Sequence, residues 1–281
     1  MEFNRTELLL GVFLSHLRSD KFKTACMSVT LLTQLRRETA AMNAVIPFVL
    51  RRGTTRYSDM EQLSRRMDEL YGAAVEPVVR RIGELQCIGF YGSFPEPDYL
   101  PGGEALLGDT CALMAQLLLD PVTRGGLLLP QYVDSEREKL LDIIRSRMND
   151  KRSYALTRCI EEMCCYEDFA VSRFGSESEA ENIHYKKLTR HYRELIQTCP
   201  VEIFYCGKTD FKAVSAAMRD AFSAMPRGEI DYDIGTDLRM NAVEDHVRFV
   251  EEEMDVTQGK LVLGFRLGEC MEEPDIPALY V

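Results

Sequence analysis

Histidine is scarce in this sequence: four residues in 281, with none between His16 and His184. That gap excludes a paired-histidine metal motif from the N-terminal helices. Long apolar runs are also missing. No window approaches the ~20 apolar residues that a membrane-spanning helix needs. The apolar stretch LLLGVFL (8–14) has no basic segment before it and no small-residue cleavage site after it. It reads as a strand and not as a secretion signal, so a cytoplasmic, membrane-free protein is expected. A surplus of positive charge is absent too. The formal net charge is -11, which argues against a nucleic-acid footprint. The basic pairs Arg51-Arg52, Arg65-Arg66 and Arg80-Arg81 sit among acidic residues and read as solvated faces. No G-x-S-x-G, P-loop or G-x-G-x-x-G occurs, and no C-x-x-C. The nine cysteines are odd in number and scattered. They read as buried thiols behaving as small hydrophobes, and no cofactor is expected.

Hydrophobic content of 46% and charged content of 28% are those of an ordinary globular protein with ample core. Leu8–Leu17 and Lys21–Leu32 read as strands separated by the polar break at 18–20. In the second, Lys23, Ala25, Met27, Val29 and Leu31 alternate with Phe22, Thr24, Cys26, Ser28 and Thr30, which points the first set toward the core. A helix is predicted over Glu38–Leu50. Pro47 inside it removes an amide donor and implies a kink or a late start, and Gly53 ends it. The next helix has Ser58 with Glu61 as a capping box, an apolar face of Met60, Leu63, Met67, Leu70 and Tyr71, and Gly72 as its stop. Ala73–Ile82 and Leu85–Phe94 form a hairpin through Gly83-Glu84.

Further on, Leu106, Leu113, Met114, Leu117 and Leu118 mark a buried helix face closed at Asp120-Pro121. Pro130 opens a helix with the inner stripe Val133, Leu140, Leu141, Ile144 and Met148. Leu156, Ile160, Met163 and Cys164 give another. Residues 175–182 read as a polar connection, followed by a helix over Leu188–Gln197, a strand over Val201–Cys206 and a helix marked by Phe211, Val214, Met218 and Phe222. Residues 227–244 read as an acidic linker. Val247–Val250 and Lys260–Leu267 then look like strands, and a strand left without a partner implies that the chain continues past Val281. The pattern is α+β, antiparallel strand pairs with helices grouped between them.

Three stretches carry a family resemblance. The first is N-x-x-I-P-F-V-L-x-R-G-T with L-S-R-R-M-D-E-L-Y-G-A after it. The second is S-E-R-E-K-L-L-D-I-I-x-x-x-x-x-D-K (135–151) with S-R-F-G (172–175). The third is D-V-T-Q-G-K-L-V-L-G-F-R (255–266). Together, in this order, they resemble the M16 (insulinase-like, mitochondrial-processing-peptidase-like) family, and within it the bacterial non-catalytic branch. The resemblance implies an M16 peptidase-like (LuxS/MPP-like) unit, an antiparallel sheet backed by helices, plus the first strand of a second such unit. It sets the N-terminal domain at 1–225, a linker and connecting strand at 226–254, and the start of the second repeat at 255–281.

Active M16 members carry H-x-x-E-H on the first helix. Two histidines four apart bind zinc from one helical face, and the glutamate activates water. When the motif is aligned on the Gly53-Thr54 turn, Ala44 and Phe48 stand at the histidine positions and Pro47 at the base. A third ligand would fall at about Ile143. Alanine, phenylalanine and isoleucine have no lone pair for zinc, and proline cannot take a proton. No metal and no catalytic residue are therefore expected, and Glu136, Glu138 and Asp142 read as solvated helix charges. His184 and His191 read as surface or capping residues, and His16 and His246 as isolated.

The resemblance implies a catalytically inactive subunit. It would form half of a peptide-binding chamber with an active zinc-dependent M16 partner, as a heterodimer, or else by self-association. Two alternatives stand beside it. One is a standalone peptide-binding or scaffold protein. The other is a peptidase with a relocated site built from Glu136, Glu138, Asp142 and His184 or His191.

Overall fold

The computed structural model describes residues 2–235, 247–255 and 257–265. Three strands come first: β1 (Glu2–Leu9), β2 (Val12–Arg18) and β3 (Thr24–Gln34). Helices α1 (Ala40–Leu50) and α2 (Met60–Glu69) follow, then the hairpin β4 (Ala74–Ile82) and β5 (Leu85–Pro95). Next come α3 (Leu107–Leu119), the short pair β6 (Thr123–Arg124) and β7 (Leu127–Leu128), α4 (Pro130–Ser146), α5 (Lys151–Met163), α6 (Glu177–Glu181) and α7 (Tyr185–Thr198). The strand β8 (Val201–Gly207) and α8 (Phe211–Phe222) complete the order.

Six strands make one sheet in the order β1-β2-β8-β3-β5-β4. Its hairpins are antiparallel as expected, but the sheet is mixed. β8 returns to its centre, antiparallel to β3 and parallel to β2. β8 can run parallel to β2 because everything from β3 to α7 intervenes, far more chain than a parallel crossover requires. The predicted single strand over Leu8–Leu17 is in fact a hairpin corner. The chain reverses at Leu10-Gly11, where Gly11 takes a φ of +67° that a branched residue would resist.

The alternation read in β3 holds from Ala25 onward; Lys23, also read as core-facing, precedes the strand and is exposed. Ala25, Met27, Val29 and Leu31 are buried against the helices. So are Ile88 and Phe90 of β5 and Val12 and Leu14 of β2. Each of the Val, Leu, Ile, Met and Phe side chains contributes about 1.5–3 kcal/mol by leaving water. Helices α1, α3, α7 and α8 pack on this one face, and the other face carries no helix among the described residues. Gly89 lets β3 and β5 close at mid-sheet: a Cβ there would sit 2.0 Å from the Val29 carbonyl oxygen, and its φ is +155°.

Several local expectations are corrected. The cap of α2 is Asp59, whose carboxylate accepts from the Gln62 amide at 2.9 Å. Ser58 binds the Gln62 side chain instead, so the predicted box with Glu61 does not form. At the other end of α2, Gly72 donates to Met67 O and Tyr71 to Asp68 O. The left-handed residue of that C-cap is Tyr71 (φ 56°), with Gly72 after it. The polar connection at 175–182 contains α6, held by a capping box of Ser176 and Glu179. The apolar residues of α5 do not face a core: Leu156 and Met163 are exposed. Helix α1 runs through Pro47 without stopping.

The predicted strands at Val247–Val250 and Lys260–Leu267 are not formed among the described residues. Among the described residues no strand pairs with them, and an unpaired strand is not stable alone. Residues 266–281, the linker residues 236–246 and His246 with them, lie outside the described residues. Among the described residues no helix is long and apolar enough to cross a membrane.

Candidate functional site

Helix α1 is apolar on nearly every side, AAMNAVIPFVL, and such a helix must be buried all round. It is: Ala44 and Pro47 are buried and Phe48 is half-buried. It packs between the β4–β5 hairpin and helices α4, α6 and α7. Ile143 of α4 lies at the surface. Two cavities adjoin this region. One of 260 Å³ opens between the start of α1 and α6, lined by Ala41, Met42 and Asn182. The other, 390 Å³, lies between α4 and α5. None of Ala44, Pro47, Phe48 and Ile143 lines either cavity.

The one polar side chain in α1 is Asn43, fully buried. Its Nδ2 donates to Gln86 Oε1 at 2.8 Å, and its Oδ1 lies 2.6 Å from His191 Nε2. Gln86 Nε2 in turn donates to the carbonyls of Ala40 at 2.9 Å and Arg173 at 2.7 Å. Since the Asn43 amide nitrogen already donates, its oxygen accepts, and His191 carries its proton on Nε2. Three elements, α1, β5 and α7, are joined by one satisfied network. Burial holds the His191 imidazole below its usual pKa, partly opposed by Glu194. It is kept neutral and is fully engaged, which overturns the surface reading of this residue.

Glu136 corrects a second expectation. It is buried, not solvated. Its Oε1 takes Arg52 Nη1 at 3.2 Å and Lys139 Nζ at 2.8 Å, and the Arg52 guanidinium lies 4.9 Å over the Tyr132 ring. This cluster ties the turn after α1 to α4. Glu138 and Asp142 are exposed, as expected. Among the other histidines, His184 precedes α7 and leans on Tyr185. His16 is buried, its Nε2 2.9 Å from the Thr209 carbonyl and its ring stacked on Tyr205.

The donor chemistry of α1 does not fit zinc. Its residues offer hydrocarbon, the Met42 thioether, a proline ring and one amide already spent on internal bonds, none of them a usual zinc ligand. Among the described residues, no group of three His, Cys, Asp or Glu side chains is placed to hold a metal ion. Glu136, Glu138, Asp142, His184 and His191 are therefore not assembled into such a group. Asn43 and Gln86 carry the network and were not singled out from the sequence. The signal was a lone amide in an otherwise apolar helix and another at a core-facing position of β5.

The uncovered face of the sheet is the other candidate surface. Phe13, Leu17, Phe204, Cys206, Cys26 and Tyr91 share it through the strand registers, with Phe3 exposed on β1. Arg5 pairs with Glu202 at 2.5 Å and covers the Phe13 ring at 5.0 Å. The sheet ends in two edges. β4 contains Pro77, which has no amide to offer a further strand, whereas β1 contains no proline.

No family model matches the chain. A curated relative, the "Probable inactive metalloprotease YmfF" of Bacillus subtilis, is 30% identical over 266 residues, 94% of this chain and 61% of the relative. The chain thus spans about three-fifths of that relative's length. Among solved structures, a conserved protein from Enterococcus faecalis superposes with a TM-score of 0.74 at 21% identity, covering 81% of this chain and 54% of that one. The peptidase M16 inactive domain from Pseudomonas fluorescens gives 0.64 at 9% identity, with 84% and 53% covered. These two structures share the fold.

Proposed function

We propose that this chain is an M16-type peptidase homologue that acts as a catalytically inactive subunit, one half of a peptide-enclosing chamber whose zinc chemistry is supplied by an active M16 partner. One observation carries the reading: α1 holds no His, Cys, Asp or Glu to ligate zinc, and its only polar side chain is consumed by Gln86 and His191. Ala44, Pro47, Phe48 and Ile143 are, on this reading, the degenerate positions of the zinc site. The description of the Bacillus subtilis relative as probably inactive supports it. Coverage of about half of each matched structure supports a two-unit architecture. Residues 1–225 would be the first unit, 226–254 the connection and 255–281 the start of the second.

A peptide would be held by strand addition at a sheet edge and by the uncovered apolar face. Of the two edges, β1 is free of proline, and β4 is interrupted at Pro77. Cytoplasmic placement is part of the proposal.

The test is metal analysis and peptide cleavage with the purified chain alone, then with an M16 chain that has an intact H-x-x-E-H. The expected result is no stoichiometric zinc, no cleavage alone, and co-purification with cleavage when the partner is present. A tightly bound zinc in the isolated chain would overturn the reading. Cleavage by the chain alone would favour the relocated site. Failure to associate with any such partner would leave a standalone peptide-binding protein.

A further inference from the structure

Cys26 of β3 and Cys206 of β8 are directly opposed across an antiparallel pair. Leu32 donates to the Pro200 carbonyl at 2.9 Å in the same ladder. Counting back by twos from that bond places 26 and 206 at a hydrogen-bonded pair. At such a pair the Cα atoms lie about 5.5 Å apart. That is inside the roughly 4.4–6.8 Å over which a disulfide closes. The Cβ atoms of such a pair lie toward the long end of about 4.5–5.5 Å, beyond the roughly 3.5–4.5 Å of a relaxed bridge. Closure therefore draws the strands together and leaves a bond that is strained and easily reduced. The register also sets Tyr91 of β5 opposite Ser28, diagonal to Cys26 on the same face. All three lie on the sheet face that carries no helix. Cys26 is partly exposed and Cys206 is buried beneath its neighbours.

The geometry points to a thiol-pair modification site: Cys26 and Cys206 exchange with small disulfides such as oxidised glutathione and close a reversible cross-strand bond. The more accessible Cys26, as thiolate, attacks one sulfur of the small disulfide. That S–S bond breaks, one glutathione thiolate leaves, and Cys26 is left in a mixed disulfide. Cys206 gives its proton to a leaving thiolate and attacks the Cys26 sulfur, releasing the second glutathione. Two protein thiols are oxidised and one small disulfide is reduced to two thiols. The reaction runs backward in excess reduced glutathione.

Burial pushes the Cys111 and Cys199 thiols up to about 12 and keeps them protonated. Burial raises the Cys206 thiol as well, which leaves the more accessible Cys26 as the first to react. Cys164 and Cys165 are chain neighbours, a spacing that resists an unstrained bridge. Closure would pin β3 to β8 at the end of their ladder and remove a free thiol from the uncovered face. The site does not depend on the chamber proposal; a scaffold protein could carry it equally.

The experiment is to equilibrate the reduced full chain with oxidised glutathione, block remaining thiols by alkylation, and map peptides by mass spectrometry without reduction. The expected product is a peptide pair linked through Cys26 and Cys206, lighter by two hydrogen atoms and restored by excess reduced glutathione. Recovery of both cysteines fully alkylated would overturn the proposal, as would linkage of either to a different cysteine. In Cys206→Ser the resolving thiol is gone, so Cys26 should accumulate as a stable glutathione adduct. An unmodified Cys26 in that variant, with its fold verified by circular dichroism, would equally reject it.

Discussion

Asn43 and His191 meet across the seam between α1 and α7, the amide oxygen of one accepting the imidazole N–H of the other at 2.6 Å. With Gln86 they form a network in which every hydrogen bond is made inside the protein. A network of this kind stabilises only when complete, because a buried polar group left alone keeps its full desolvation cost.

Asn43→Ala should therefore destabilise. It strands Gln86 Oε1 and His191 Nε2 and leaves a small void. The expected loss is about 1–3 kcal/mol, read as a shift in the urea midpoint at unchanged slope. A neutral result would mean that water replaces the amide without cost.

His191 should make stability fall on acidification. Its folded pKa lies below the ordinary value of 6.5 because burial disfavours the cation. Above that value both states are neutral and the residue adds no pH dependence. As pH drops through about 6.5, the unfolded chain takes up the proton more readily than the folded one, and stability declines. The decline continues down to the lowered folded pKa and then levels off. His191→Gln keeps a donor for Asn43 and cannot titrate, so its melting temperature should fall less steeply than that of the parent over this window. Parallel pH profiles for the two proteins would show that His191 does not contribute.

Glu136 offers a third test. Glu136→Ala removes the shared acceptor of Arg52 and Lys139. Lys139 is mostly in water and Arg52 one-quarter exposed, so the loss should be about 1–2 kcal/mol and not the larger figure of a fully buried pair. Restoring a neutral acceptor with Glu136→Gln should recover part of it in chemical denaturation. An Ala variant as stable as the parent would show the cluster to be energetically idle.

Gly89→Ala should be the most damaging single methyl in the sheet. The added carbon would meet the Val29 carbonyl at 2.0 Å, so β3 and β5 must part. A cost of about 3 kcal/mol or more is expected, visible as a large drop in melting temperature. The same change at Gly103, which has open space around it, should be far milder despite its positive φ. Equal effects at both positions would refute the close-approach argument.

Periodicity made much of this fold legible. The core face of β3, the β4–β5 hairpin with its turn at Gly83, and the buried stripe of α3 follow from side-chain spacing and local turn chemistry alone. The hairpin corner at Gly11 was hidden because an apolar run continues straight across it. The parallel placement of β8 beside β2 left no local trace, since it depends on where a chain returns after more than a hundred residues. Helix α6 was missed because its one signal, the capping spacing of Ser176 and Glu179, lies inside a stretch that otherwise reads as polar connection.

At the candidate site the division falls along the same line. Side-chain identity alone determined that Ala44, Pro47, Phe48 and Ile143 offer no lone pair or base to a metal, because donor chemistry belongs to the residue and not to its surroundings. Only the tertiary structure decided that Glu136 is buried, that His191 is held neutral against Asn43, and that Cys26 faces Cys206. Burial and pairing arise between segments remote in sequence, and no local pattern encodes the distance that closes between them.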